Sequence, residues 1–131
     1  LKPKGLFTAI WNPRFIESNP LLVEIENYLK ELKPNIKRVS SGASGMTATI
    51  MEKLIASKYF EDVFYLEAIH TEKISIPRYI GLWKSVNDIQ VQLGEEKFKK
   101  FLDFIVEVTK NIEYIEADYK TRSWSARKAL I

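Results

Sequence analysis

The sequence predicts a mixed α/β fold, and three observations support this prediction. Leu6 to Trp11 holds five apolar residues in six, which is typical of a strand buried on both faces. Apolar residues recur at helical spacing in four later segments. Residues 60–74 and 114–128 alternate in the way that strands do. The predicted order is therefore strand, helix, helix, strand, helix, helix, strand.

Composition limits what the chain can be. Its 131 residues predict a single domain, and 46% hydrophobic content is enough for a core. A net charge of +3 is too small by itself to predict nucleic-acid binding. The chain has no cysteine and one histidine, so neither a disulfide nor a metal site is expected. No apolar run is long enough for a membrane span, and a cytoplasmic location is the default expectation.

The first strand is predicted to be central in its sheet and to leave it at an Asn-Pro step. Lys2 to Gly5 supplies the turn before it. Ligands of open α/β sheets bind beyond the carboxyl ends of strands, which makes Trp11, Asn12 and Arg14 candidates for ligand contact. The alternative is that Trp11 caps the core and Arg14 is solvated.

Two helices joined by a serine- and glycine-rich segment are predicted after the first strand. Asn19 and Pro20 are suited to the first positions of a helix that ends at Lys33 to Asn35. Residues 38–46 are rich in serine and glycine, and they form either a lid over a ligand or a plain linker. Thr49 and Glu52 are spaced for a capping box at the start of a short helix.

Two further helices are predicted in the second half. Ser75 begins one, with Ile76, Ile80 and Trp83 on its apolar stripe. Gly94 precedes the other, which has the clearest stripe in the chain.

His70 is the only histidine, and it lies late in the strand predicted for residues 60–74. An imidazole suits general-base chemistry near neutral pH. The alternative is a structural or simply exposed side chain.

The last strand is the most basic stretch. Lys120, Arg122, Arg127 and Lys128 are interleaved with Tyr119 and Trp124, a combination that binders of single-stranded nucleic acid use. Charged residues also protect ordinary sheet edges from aggregation, and the small net charge favours that interpretation.

Three segments resemble parts of class I S-adenosylmethionine (SAM)-dependent methyltransferases, in the order of that family. LKPKGLFTAIWN is similar to the LKPGG turn and fifth strand, with Lys4 at a glycine position. FEDVFYLEAIHTEKISIPRYIGLWKSVND resembles the sixth strand and following helix of the type-11-like, small-molecule branch, including its W-x-S pattern at residues 83–85. YIEADYKTRSWSARK resembles the last sheet strand.

The resemblance implies the C-terminal portion of a doubly wound Rossmann-like sheet with flanking helices. The cofactor-binding half is expected to be absent, because the only glycine-rich run, Ser41 to Gly45, is not a GxGxG turn. SAM is the implied cofactor and a small-molecule methyl acceptor the implied partner. The chain would contribute the substrate-side wall and lid and be inactive alone. His70 would be the catalytic base, and the implied substrate-binding residues are Trp11, Asn12, Arg14, Trp83 and Ser85.

A competing hypothesis needs no catalysis. The chain would then be an α+β ligand-binding or dimerisation module, with an exposed strand edge that pairs with a second copy.

Overall fold

A computed structural model describes residues 1–38 and 46–131. The elements within these residues are β1 (Leu6–Trp11), a short 3-10 helix (Ile16–Ser18), α1 (Pro20–Leu32), α2 (Met46–Ala56), β2 (Phe60–Ser75), α3 (Ile76–Lys84), α4 (Asn87–Val108) and β3 (Tyr114–Lys128). The predicted mixed α/β class and the element order are confirmed. Of the predicted lid or linker at 38–46, residues 39–45 lie outside the described part.

The three strands form one sheet in the order β1-β3-β2. β3 is antiparallel to β1, with Leu6 opposite Arg127 and Trp11 opposite Arg122. β3 is also antiparallel to β2, as the ion pair between Arg127 and Asp62 near the start of β2 illustrates. β1 and β2 consequently run parallel to each other on either side of β3.

β1 lies at an edge of this sheet, and among residues 1–38 and 46–131 it pairs only with β3. A neighbour on its second side, which a central position in a sheet requires, stays a prediction. The Lys128 amide donates to the Gly5 carbonyl at 2.8 Å, and antiparallel pairing alternates from there. The backbone groups of Leu6, Thr8 and Ile10 therefore point to the free edge. Leu6 and Ile10 are 52% and 64% exposed. A run of apolar residues indicates that a strand can be covered on both faces. It does not show whether neighbouring strands are present on both sides of that strand.

Two compact units of chain can be distinguished. The first comprises Leu1–Arg14, Arg38–His70 and Tyr119–Ile131. In its core, Leu54 of α2 packs with Trp124 and Ala126 of β3. Partly buried hydrophobic residues surround this group: Trp11, Ile50, Met51, Phe60, Val63 and Tyr65.

The second unit comprises Phe15–Lys37 and Thr71–Asp118. Here α1 and α3 each pack against α4. Trp83 of α3 makes an edge contact with Phe101 of α4, with ring centroids 4.8 Å apart. The predicted stripes of α1 and α4 are buried at Leu22, Ile25, Leu29, Phe98, Phe101 and Ile105.

The capping predictions have mixed outcomes. Asn19 Oδ1 accepts from the Leu21 amide at 3.0 Å, so the predicted cap is confirmed. The predicted helix start at Ser75 is also confirmed, and Ser75 Oγ accepts from the Arg78 amide as its cap. α2 begins at Met46, three residues before the predicted capping box, which was therefore wrong as a start signal. α4 already begins at Asn87, and Gly94 interrupts it with φ +78°, a conformation that glycine adopts at little cost.

Candidate functional site

The structure divides the six predicted site residues between the two units. Trp11, Asn12, Arg14 and His70 belong to the first unit, and Trp83 and Ser85 belong to the second.

Tyr119 of β3 lies between Arg14 on one side and His70 on the other. Arg14 forms an antiparallel bridge with Tyr119 just beyond the end of β1. On the other side of β3, the His70 ring stacks on the Tyr119 ring, with centroids 5.3 Å apart and planes 14° apart. Residues directly opposite one another in a sheet share a face, so Arg14, Tyr119 and His70 form one row across three strands.

Asn12 belongs to the neighbouring row. The Thr121 hydroxyl donates to Asn12 Oδ1 at 2.7 Å. Thr121 and Tyr119 are two residues apart in β3, which places them on the same face about 7 Å apart. Five side chains therefore cluster at the carboxyl end of β1; we call Asn12, Arg14, His70, Tyr119 and Thr121 the His70 cluster.

The His70 cluster is polar and accessible. Asn12 and His70 are exposed, whereas Arg14, Tyr119 and Thr121 are half-buried. The imidazole can accept or release a proton. The Asn12 carbonyl oxygen accepts the hydrogen bond from the Thr121 hydroxyl, so the Asn12 amide nitrogen, which is a donor, lies on the other side of the amide group. None of its five side chains is a carboxylate.

Trp11 points to the opposite face from Asn12, because successive side chains in a strand alternate. It is half-buried, and its ring meets the edge of Trp124 at 5.6 Å. This geometry matches the alternative in which Trp11 caps the core.

A polar chain continues beside Trp11 on that face. The Arg122 guanidinium lies 4.8 Å from the Trp124 ring centre, and its Nε donates to the Tyr65 hydroxyl at 2.8 Å. The Tyr65 hydroxyl donates in turn to Glu67 at 2.6 Å. Burial, followed by the bond to Glu67, raises the pKa of Tyr65 above 10.0, although Arg122 opposes the shift.

Trp83 and Ser85 have structural contacts in the second unit. Trp83 is 2% exposed and packs between Tyr79 and Phe101. The Ser85 hydroxyl donates to the Leu82 carbonyl at 2.6 Å, at the end of α3. These contacts match the alternative that Trp83 is a core residue.

Sequence reasoning did not single out Tyr119 and Thr121 as members of a site with His70. The alternation of residues 114–128 places both on one face of a strand. Only the registers of β3 with β1 and β2 bring that face to Arg14 and His70, and no local pattern encodes a register between segments so far apart.

The basic residues of β3 are divided between its two faces, because Lys120, Arg122 and Lys128 alternate with Arg127 along the strand. Arg127 pairs with Asp62 at 3.2 Å, and Lys120 lies 4.0 Å from Glu67. Trp124, which a nucleic-acid base would need for stacking, is buried.

Comparisons with protein-family models and curated sequences identify no relative of this chain. The chain matches no protein-family model and no curated protein sequence. Within residues 1–38 and 46–131, no three His, Asp or Glu side chains are grouped so that they could hold a metal ion. None of the helices in this part of the chain is both long enough and apolar enough to cross a membrane.

Proposed function

We propose that this chain is the C-terminal portion of a class I SAM-dependent methyltransferase that acts on a small molecule. The observation that carries the proposal is the strand order. In the family that the sequence resembles, the last sheet strand lies antiparallel between the fifth and sixth strands. The segments similar to the fifth, sixth and last strands are β1, β2 and β3, and the observed order β1-β3-β2 supports the resemblance.

The free edge of β1 is a second supporting feature. A fifth strand of such a sheet pairs on its other side with a further strand of the cofactor-binding half. Leu6, Thr8 and Ile10 direct their backbone groups to that edge, and the segment has no charge or proline to block pairing.

Cofactor binding is not assigned to this chain. The sequence has no GxGxG turn, so the residues present do not fit a SAM site, and SAM would be held by residues outside this sequence. The chain is proposed to supply the wall of the active site that binds the methyl acceptor.

The His70 cluster would orient the acceptor. Methyl transfer depends chiefly on proximity and alignment, and it needs a base only where the acceptor must lose a proton. His70 is accessible and stacks on Tyr119, which lies opposite Arg14 just beyond the carboxyl end of β1, so it is the base proposed here. Asn12 and Arg14 would bind and position the acceptor.

Calorimetric titration tests the proposal. SAM and S-adenosylhomocysteine are titrated separately into the 131-residue chain and into the natural polypeptide that contains it. Binding by the natural polypeptide alone is expected. Lack of binding by the natural polypeptide would refute the methyltransferase assignment, and stoichiometric binding by the 131 residues would refute the placement of the cofactor site.

The free edge also favours a second candidate function, a module that associates through β1. It predicts a concentration-dependent dimer in analytical ultracentrifugation. Ile10→Lys places a charge at the edge and should abolish the dimer. Val91→Lys is the matched control, because Val91 is a 72% exposed apolar residue on α4 in the other unit. A strict monomer at all concentrations would exclude this function.

A further inference from the structure

We propose that β1 pairs antiparallel with β1 of a second copy of the chain, with Thr8 on the twofold axis. Two three-stranded sheets then join into one sheet of six strands. This inference rests on the second candidate function, association through β1, and deepens it by fixing the direction and the register of the pairing. The pairing concerns the 131-residue chain and involves neither SAM nor the methyltransferase assignment.

The free edge of β1 presents the backbone groups of alternate residues. The odd-numbered residues of β1 bond to β3, beginning from the Gly5 carbonyl, which accepts from the Lys128 amide at 2.8 Å. The even-numbered residues Leu6, Thr8 and Ile10 consequently direct their N–H and C=O groups to the other side. In the described part of the chain, β3 is the only strand that pairs with β1. These three residues are therefore available to hydrogen-bond with a further strand.

The alternation of these groups selects an antiparallel pair. In an antiparallel ladder, two residues that direct their backbone groups toward each other lie directly opposite and exchange both hydrogen bonds. A twofold axis can therefore place Thr8 opposite Thr8 of the second copy with both bonds made. In a parallel ladder, a residue that points outward lies opposite one that points away, so identical residues of two copies cannot face each other and bond.

The register follows from how many outward residues are paired. With Thr8 on the axis, Leu6 of each copy lies opposite Ile10 of the other, and all three outward residues are hydrogen-bonded. Sliding one strand by two residues pairs only two of them. The third outward residue then lies opposite Lys4 or Asn12, both of which are outside the strand. The register centred on Thr8 is consequently the one that completes the ladder.

The side chains also match in this register. Leu6 and Ile10 point to the face of the sheet opposite Trp11 and are 52% and 64% exposed. Directly opposite residues have Cβ atoms about 5 Å apart, so each Leu6–Ile10 contact removes apolar surface from water. The segment LFTAIW has no charged residue, so no like charges face each other across the new pair.

Amide hydrogen exchange tests the pairing in the unmodified chain. Exchange is measured by NMR at about 10 μM and about 1 mM, a range that spans weak association. The amides of Leu6, Thr8 and Ile10 should exchange about tenfold more slowly at the higher concentration, because pairing protects them. The amides of Phe7 and Ala9 already donate to β3 and should change little. This alternation distinguishes edge pairing from contact through a face of the sheet.

Cysteine substitutions test the register, since the chain has no cysteine of its own. Thr8→Cys should give a disulfide-linked dimer when diamide oxidises the thiols, because opposed residues of a hydrogen-bonded pair have Cα atoms about 5.5 Å apart. Leu6→Cys alone and Ile10→Cys alone should not cross-link, because each is offset by about 13 Å along the strand from its own copy. An equimolar mixture of these two variants should cross-link.

Ser123→Cys is the matched control. Ser123 lies opposite Ile10 in the middle strand, on the same face, and is at least about 14 Å from its counterpart in the second copy. It should give no disulfide-linked dimer, since a disulfide requires Cα atoms within about 7 Å.

The possible failures are distinguishable. A strict monomer in ultracentrifugation overturns both the inference and the association on which it rests. A dimer without slowed exchange at Leu6, Thr8 and Ile10, or one that cross-links through Leu6→Cys alone and not through Thr8→Cys, overturns the inference alone. The SAM titration of the natural polypeptide is independent of all these results.

Discussion

Gln92→Ala should destabilise the second unit by detaching the segment that follows α1. The Gln92 side chain holds the backbone of Lys37 at two points: Oε1 accepts from the Lys37 amide at 2.9 Å, and Nε2 donates to the Lys37 carbonyl at 2.9 Å. Nε2 also donates to Asp88 Oδ2 at 3.0 Å. The Gln92 carbonyl accepts from Lys33 Nζ at 2.9 Å, and the substitution leaves that backbone acceptor in place.

The magnitude follows from the three side-chain bonds that are lost. A neutral hydrogen bond contributes a net ~0.5–1.5 kcal/mol, and exposed partners lie at the lower end because water replaces the lost group. Lys37 and Asp88 are exposed, so the free energy of unfolding is expected to fall by about 1–2 kcal/mol. Urea unfolding measures this loss, and amide hydrogen exchange at Lys37 reports the local change.

Two further variants sharpen the test. Val91→Ala, one residue away on the same helix at a 72% exposed position, should leave both readouts nearly unchanged. Gln92→Glu keeps an acceptor for the Lys37 amide but faces the Asp88 carboxylate, so it should rescue little. Unaltered Lys37 exchange in Gln92→Ala, together with a stability loss below about 0.3 kcal/mol, would refute the reasoning.

Three other substitutions probe burial and pH. Trp83→Ala should cost about 3–5 kcal/mol in urea unfolding, because it empties a buried site; a loss below about 1 kcal/mol would contradict a core role. Since burial and Glu67 raise the pKa of Tyr65, its contribution to stability is complete below pH 10.0 and is lost as pH rises through the folded-state pKa. Tyr65→Phe should therefore reduce the fall in unfolding free energy at alkaline pH. An unchanged dependence of the unfolding free energy on pH would refute this. The Thr71 hydroxyl is the main cause of the lowered pKa of Asp118, so Asp118 stabilises the fold above pH 3.8 and loses that effect as pH falls. Thr71→Val should reduce the acid sensitivity in unfolding titrations between about pH 5 and pH 2, and identical acid profiles would count against it.

Local signals predicted most of the secondary structure. Asn19 was identifiable as a cap and Ser75 as a helix start, because such side chains bond to amides two or three residues away. The start of α4 was missed because the sequence places Gly94 where a helix should begin. In the structure, Gly94 instead joins two helical segments through a positive φ.

The candidate site was predictable only in part. Asn12, Arg14 and His70 were identified as chemically suitable residues, and the structure brings them to one cluster. Tyr119 and Thr121 complete that cluster through cross-strand register. Trp11 was grouped with Asn12 by proximity in sequence, yet strand alternation sends their side chains to opposite faces.

The sequence by itself determined the order of strands and helices, although not every boundary, because periodicity and capping act over a few residues. It also determined which chemistry is available: one imidazole, no thiol and a small positive charge. Only the tertiary structure decided that β3 lies between β1 and β2, that β1 is an edge strand, and that His70 stacks on Tyr119. These features depend on pairing between residues about 50 to 120 positions apart, where the free energy comes from burial and register rather than from local preference.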